Sequence, residues 1–299
     1  MSNAVKRAEN WVSHRGAWPR IFVFLLLLAI AWLPLAALLY WLGDQFDRSG
    51  TAEIVALALL YGGFLWGLPR WGNRIHRWRR PLERCGLLFQ AQTGRDLLLA
   101  LIIGVFGVFA LFGLETLLGW ATPVAPSPKF VRFMLEGLLM ALAVGFAEEM
   151  LFRGWLLAEL ETTYRSTPAL MMNALFFAAT HFIKPLPEII RTFPQFLGLV
   201  ILGMALVWAR RSPTGRPTIS KRFATAEQAP RSRLGYPIGL HAGLIWGYYM
   251  VDVGGLSEYT ARVPTWVTGI DSNPLAGLLG VMLLSAIASQ FARTAQPKT

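Results

Sequence analysis

The sequence predicts an all-α, polytopic membrane protein of about eight transmembrane helices. Three observations carry this. The chain of 299 residues is 55% hydrophobic and only 15% charged, with a mean hydropathy of +0.46. Ordinary globular chains carry about a quarter charged residues. The run from Ile21 to Leu42 holds 22 residues without a charge, and about 20 apolar residues of helix cross a bilayer core. Finally, the chain carries 28 Lys and Arg against 17 Asp and Glu, and 22 of the 28 fall in alternate inter-span segments. The same composition excludes a disordered chain, which needs low hydrophobicity. The single cysteine, Cys85, excludes a disulfide scaffold.

The spans follow in order. Residues 21–42 form the first, preceded by Lys6, Arg7, Arg15 and Arg20. The run is too long for the hydrophobic stretch of a signal peptide, about 7–15 residues. Pro34 is expected to kink it. Residues 52–68, 97–118 and 130–161 supply the second, third and fourth spans. Residues 168–183, 193–209, 234–253 and 274–292 supply the remaining four. None of these runs alternates apolar with polar residues, so barrel strands are excluded. The chain divides into a basic N-terminus (1–20), three spans with a basic interfacial segment at 69–96 (21–129), a core (130–253), and a last loop, span and tail (254–299). Trp71 and Trp78, among arginines, suit a helix at the membrane interface. The polar stretch 210–233, with Pro213, Pro217 and Pro230, reads as a mobile loop.

Charge placement sets the expected orientation. Segments 1–20, 69–96, 152–167, 210–233 and 293–299 hold 22 Lys and Arg, whereas the intervening segments hold 5. Basic residues concentrate on the cytoplasmic side. Both termini are therefore expected in the cytoplasm, in a bacterial inner membrane or its equivalent. The basic clusters are short, split and juxtamembrane, so membrane lipids are the expected partners and nucleic acid is not.

Ionisable groups inside spans are costly, about 2.5–3.5 kcal/mol each on insertion scales. Glu115, Glu136 and Asp252 lie near span ends, where interfacial or paired carboxylates are common. His14 and His76 lie in polar segments and are expected to be solvated or interfacial. Glu148 and Glu149 are different: they sit together inside an apolar helix. Adjacent helical residues point about 100° apart, so the two carboxylates have separate surroundings. Glu149 precedes Arg153 by four residues, the favourable order for an ion pair. Glu148 has no such partner and is left for chemistry. Asn173, Phe177 and His181 share one helix face, and His241 lies in a later span. Residues 162–167 form a turn midway between Glu148 and His181, so a helical hairpin would bring these two to one height. Two imidazoles and a carboxylate can ligate Zn²⁺, with a glutamate as base for attack by water on a peptide carbonyl. The His-Glu-x-x-His pattern of soluble zinc proteases is absent.

Taken together, Glu148-Glu149-x-x-x-Arg153-Gly154, Phe177-x-x-x-His181 and His241 resemble the CPBP family over about residues 130–253. These are the type II CAAX prenyl endopeptidases and bacteriocin-processing enzymes, also called Abi. The resemblance implies an intramembrane protease-like helical bundle and a metal-dependent endopeptidase acting near the cytoplasmic side. It implies a membrane-associated or lipidated protein or peptide as substrate. It implies Glu148 as the activator of water, Glu149 and Arg153 in support, and His181 and His241 at the active centre. Glu148, His181 and His241 would be the metal ligands. The family's last motif commonly carries asparagine four residues after its histidine. Here that position is Ile245, which can neither ligate nor donate. Asn173 is a candidate substitute. A non-catalytic scaffold on the same fold, stabilising a partner or conferring immunity to a peptide, is the alternative function.

Overall fold

The computed structural model describes residues 3–212, 233–270 and 273–295. The stretch 213–232, most of the loop read as mobile, lies outside the described residues. The chain forms two compact units, residues 1–85 with 158–164, and residues 86–157 with 165–299. This division departs from the linear segmentation, because 158–164 leaves the 130–253 core for the N-terminal unit.

The first unit contains α1 (Asn3–Ser13), α2 (Ala17–Gln45), α3 (Ser49–Ile75) and the short α4 (Pro81–Arg84). Helix α2 continues through Pro34, and α3 through Pro69. Trp71 is therefore part of α3 and is buried, rather than resting on a separate interfacial helix. A polar knot explains why. Glu159, fully buried, accepts hydrogen bonds from Arg20 Nε (3.2 Å) and Trp71 Nε1 (2.8 Å), and lies 2.6 Å from His76 Nε2. A buried carboxylate needs such partners. The His76 side chain is only 8% exposed, which corrects its reading as solvated or interfacial; His14 is exposed.

The second unit contains α5 (Ala91–Leu117), β1 (Ala121–Pro123), α6 (Phe130–Glu149), a π-helical segment (Met150–Leu156) and the start of α7 (Leu157–Leu160). It continues with α8 (Ser166–Thr180), α9 (Leu186–Thr192), α10 (Gln195–Arg211), α11 (Gly235–Asp252), β2 (Ser257–Tyr259), α12 (Thr265–Thr268) and α13 (Leu278–Thr294). Strands β1 and β2 pair antiparallel, with Ala121 opposite Tyr259, a feature the all-α expectation lacks. Helix α11 is the centre of this unit. Its glycines at four-residue intervals lie against α5 so closely that side chains are excluded. A Cβ on Gly239 would come 2.1 Å from Leu97 O, and one on Gly243 2.3 Å from Leu101 O. Another face of α11 packs on α6, where a Cβ on Gly145 would meet Ala242 at 3.2 Å. Small residues permit such close helix crossings where lipid offers no hydrophobic drive.

Eight helices occupy the expected span positions, but not all reach spanning dimensions. Among the described residues four are long and apolar enough to cross a membrane: Ala17–Gln45, Ser49–Ile75, Ala91–Leu117 and Phe130–Leu160. A fifth arises if α9 and α10, bent by 73°, count as one span. The expected eight is therefore not reached on this measure. Helix α8, with 15 residues, is only about 22 Å long at 1.5 Å per residue, short of the roughly 30 Å hydrocarbon core. The chain is an integral membrane protein with several spanning helices and shorter ones packed inside the second unit.

Candidate active site

The site begins where α6 changes register. After Glu149 the backbone widens into a π-helix over Met150–Leu156, a rare conformation frequently found at functional sites. Two side chains serve its carbonyls. Asn173 Nδ2 donates to Phe152 O at 2.8 Å, and the Arg210 guanidinium donates to Arg153 O. Asn173 is thus fully buried as a brace for the π segment. It does not line the cavity below, which removes it as the substitute for the missing polar group at Ile245.

Arg153 is completely buried. Its Nη1 donates to Glu149 Oε1 at 2.8 Å, its Nη2 donates to Gly203 O at 3.3 Å, and its guanidinium lies 4.1 Å from the centre of the Phe177 ring. The same Glu149 oxygen accepts from His241 Nδ1, also at 2.8 Å. Glu149 therefore joins Arg153 on its own helix to His241 on α11. The second contact is invisible in local spacing, since 92 residues separate its partners.

Partners also assign the imidazole tautomers. His181 Nδ1 lies 2.8 Å from Phe177 O. A carbonyl only accepts, so Nδ1 carries the proton. His241 Nδ1 faces a carboxylate, and the same reasoning applies. With Nδ1 committed in each ring, Nε2 is the nitrogen left for another partner. Phe177 lies between them, 4.8 Å from the His181 ring and 6.0 Å from the His241 ring by centroids.

Glu148 points elsewhere than Glu149, as the 100° step requires. Its Oε2 is buried, makes no hydrogen bond to the protein, and lies 4.0 Å from His241 Nε2. Glu148, His181 and His241 line one cavity of about 280 Å³ within the second unit. Its walls are largely apolar and include Val108 and Leu111 from α5, Leu199 and Leu202 from α10, and Leu283 and Leu284 from α13. Ile245 lines it too. Three further polar residues, Gln195, Tyr248 and Asn273, also line it. Gln195 opens α10 just after the 73° bend. Gln195 and Asn273 lie in no sequence motif that marks them. Tyr248 stands seven residues after His241 on the same helical face, the one signal available. Asp252 lines a different cavity, beside Tyr259. Burial raises the Tyr259 phenol above its ordinary pKa, and the Glu115 carboxylate adds to the shift.

Among the described residues, no three His, Cys, Asp or Glu side chains are grouped closely enough to hold an ion as they stand. The ready-made three-ligand sphere expected of Glu148, His181 and His241 is thus not present. The donor chemistry nevertheless suits one. Each histidine commits Nδ1 to an oxygen acceptor and keeps Nε2 for a ligand, the usual arrangement around metal-bound imidazole.

Residues 130–220 match the family model described as Rce1-like, type II CAAX prenyl endopeptidase. This is the relationship that the Glu148, Arg153 and His181 motifs indicated. The match ends before α11, so it does not include His241. No curated protein and no solved structure matches the chain.

Proposed function

We propose that the chain is an intramembrane endopeptidase in which Glu148 activates water for attack on a peptide carbonyl. The observation that carries this reading is Glu148 Oε2: a buried carboxylate oxygen without a protein hydrogen bond, 4.0 Å from His241 Nε2, on a half-buried side chain that lines a largely apolar cavity. Glu148 takes a proton from water as the oxygen bonds to the carbonyl carbon. When the carbon–nitrogen bond breaks, the same proton passes to the leaving amine. Glu149 holds His241 in the Nδ1-protonated tautomer, and Arg153 neutralises Glu149 within the protein. A developing oxyanion needs hydrogen-bond donors. Ile245 offers none, while Gln195, Tyr248 and Asn273, whose side chains carry donors, line the same cavity. His181 and His241, with Glu148, would hold a divalent metal such as Zn²⁺. Such an ion supplies a polarised, more acidic water. The apolar walls favour a substrate that is membrane-associated or lipidated. The basic segments favour cleavage near the cytoplasmic side, with both termini there.

The test is cleavage of a lipidated, fluorophore-labelled peptide by the purified chain in vesicles. Glu148→Gln is expected to lower the rate by about 100–10,000-fold, the usual contribution of a general base. Full activity in that variant would overturn the reading. The non-catalytic scaffold is favoured by one observation, Ile245 in the cavity wall. It predicts no turnover in the wild type and a partner that co-purifies equally with Glu148→Gln.

A further inference from the structure

A further cavity, of about 570 Å³, lies wholly within the first unit, where α1 meets the C-terminal end of α3. Lys6, Arg7 and Asn10 line it from α1, and Arg74 and Arg77 line it from the end of α3 and just beyond. The spacing of Lys6, Arg7 and Asn10 puts them on one helical face. Four cations therefore converge on one space, with a single carboxylate, Glu9, 3.7 Å from Arg74.

The backbone at Arg77 is built rather than incidental. Its φ is +56°, a left-handed conformation uncommon outside glycine and frequent at ligand clamps. Its neighbours hold it there. The His76 ring stacks on Trp78, with centroids 4.4 Å apart and planes at 14°. His76 is tied to buried Glu159, and Trp78 N donates to Gly72 O at 3.0 Å. Arg77 lies between two fixed side chains while remaining exposed itself.

The level of the cavity identifies the ligand. Helix α2, a candidate span, starts at Ala17, four residues after α1 ends; α3, another, ends at Ile75. The cavity thus lies just past the ends of two candidate spans, the level at which lipid headgroups would sit. The Trp11 ring on α1 is exposed and carries Arg15 at 4.3 Å, an interfacial pairing. Paired guanidinium groups match the oxygens of a phosphate.

We propose that this cavity binds the phosphate of an anionic phospholipid headgroup, with Arg74, Arg77, Lys6 and Arg7 as its ligands. The site is separate from the cavity holding Glu148 and does not depend on the proteolytic reading. Native mass spectrometry of the full chain in detergent, titrated with phosphatidylglycerol or phosphatidylcholine, tests it. The wild type is expected to retain phosphatidylglycerol selectively. Arg74→Gln with Arg77→Gln is expected to weaken that binding about 25-fold, each basic residue near an anionic surface being worth roughly fivefold. Arg48→Gln with Lys129→Gln removes the same charge elsewhere and is expected to leave it unchanged. If the first pair fails to fold, judged by thermal unfolding without lipid, Lys6→Gln with Arg7→Gln replaces it. Equal loss in site and control variants, or equal retention of the two lipids, would overturn the proposal. So would displacement by inorganic phosphate at concentrations equal to the lipid, which would mark a site for soluble phosphate.

Discussion

Glu149 and Glu148 are neighbours with opposite obligations. Glu149 is fully buried and shares one oxygen between Arg153 and His241. Removing the cation from such a pair leaves a buried charge, at a cost of about 3–5 kcal/mol. Arg153→Met is therefore expected to lower the unfolding midpoint sharply in a thermal or denaturant scan, whereas Glu148→Gln is expected to leave it near the wild type. Metal content tests the ligand role proposed for both histidines. Elemental analysis of purified protein is expected to find zinc in the wild type and to lose it in His181→Ala and His241→Ala. A wild type without any bound divalent ion would remove the metal and leave the Glu148 base intact. The Glu149–Arg153 pair is readable from i,i+4 spacing. The Glu149–His241 contact is not, because it joins residues 92 apart.

Helices α11 and α5 depend on the absence of side chains. A methyl on Gly239 would press on Leu97 O of α5, and overpacking a close contact costs about 1–3 kcal/mol. Gly239→Ala is expected to destabilise the second unit by that order and to lower activity as well, because His241 lies two residues away. Gly255→Ala serves as the comparison, since a Cβ there meets nothing within 4 Å but its positive φ of 66° strains any side chain. Its cost is expected to come from backbone conformation alone, with activity retained. Asn173→Leu removes the donor to Phe152 O and is expected to reduce activity without touching any cavity residue, seen as a fall in turnover of the folded protein. The glycine interval on α11 is visible in the sequence, but its partner helix is not. The π register is not legible either, since nothing in Met150–Leu156 distinguishes it from α-helix except Gly154.

Across the whole molecule, the two units have separate polar centres. Glu159 ties Arg20, Trp71 and His76 in the first unit, and Glu149 ties Arg153 and His241 in the second. Glu159→Leu is expected to loosen α2 and α3 around Arg20 and Trp71. Faster amide hydrogen exchange in those helices would report this, with Glu148-dependent chemistry as an independent readout. The sequence by itself determined the membrane class and the positions of the eight helical segments, and it marked Glu148, Glu149, Arg153, His181 and His241 as candidates. Apolar run length, charge scarcity and the i,i+4 interval are local properties, and they survive without knowledge of packing. Only the tertiary structure decided which helices reach spanning length, that Asn173 braces the π segment while Gln195 and Asn273 line the cavity, and that His76 is buried against Glu159. These depend on which distant segments meet. A polar side chain's role is set by the partner that desolvates or hydrogen-bonds it, and linear spacing does not specify that partner.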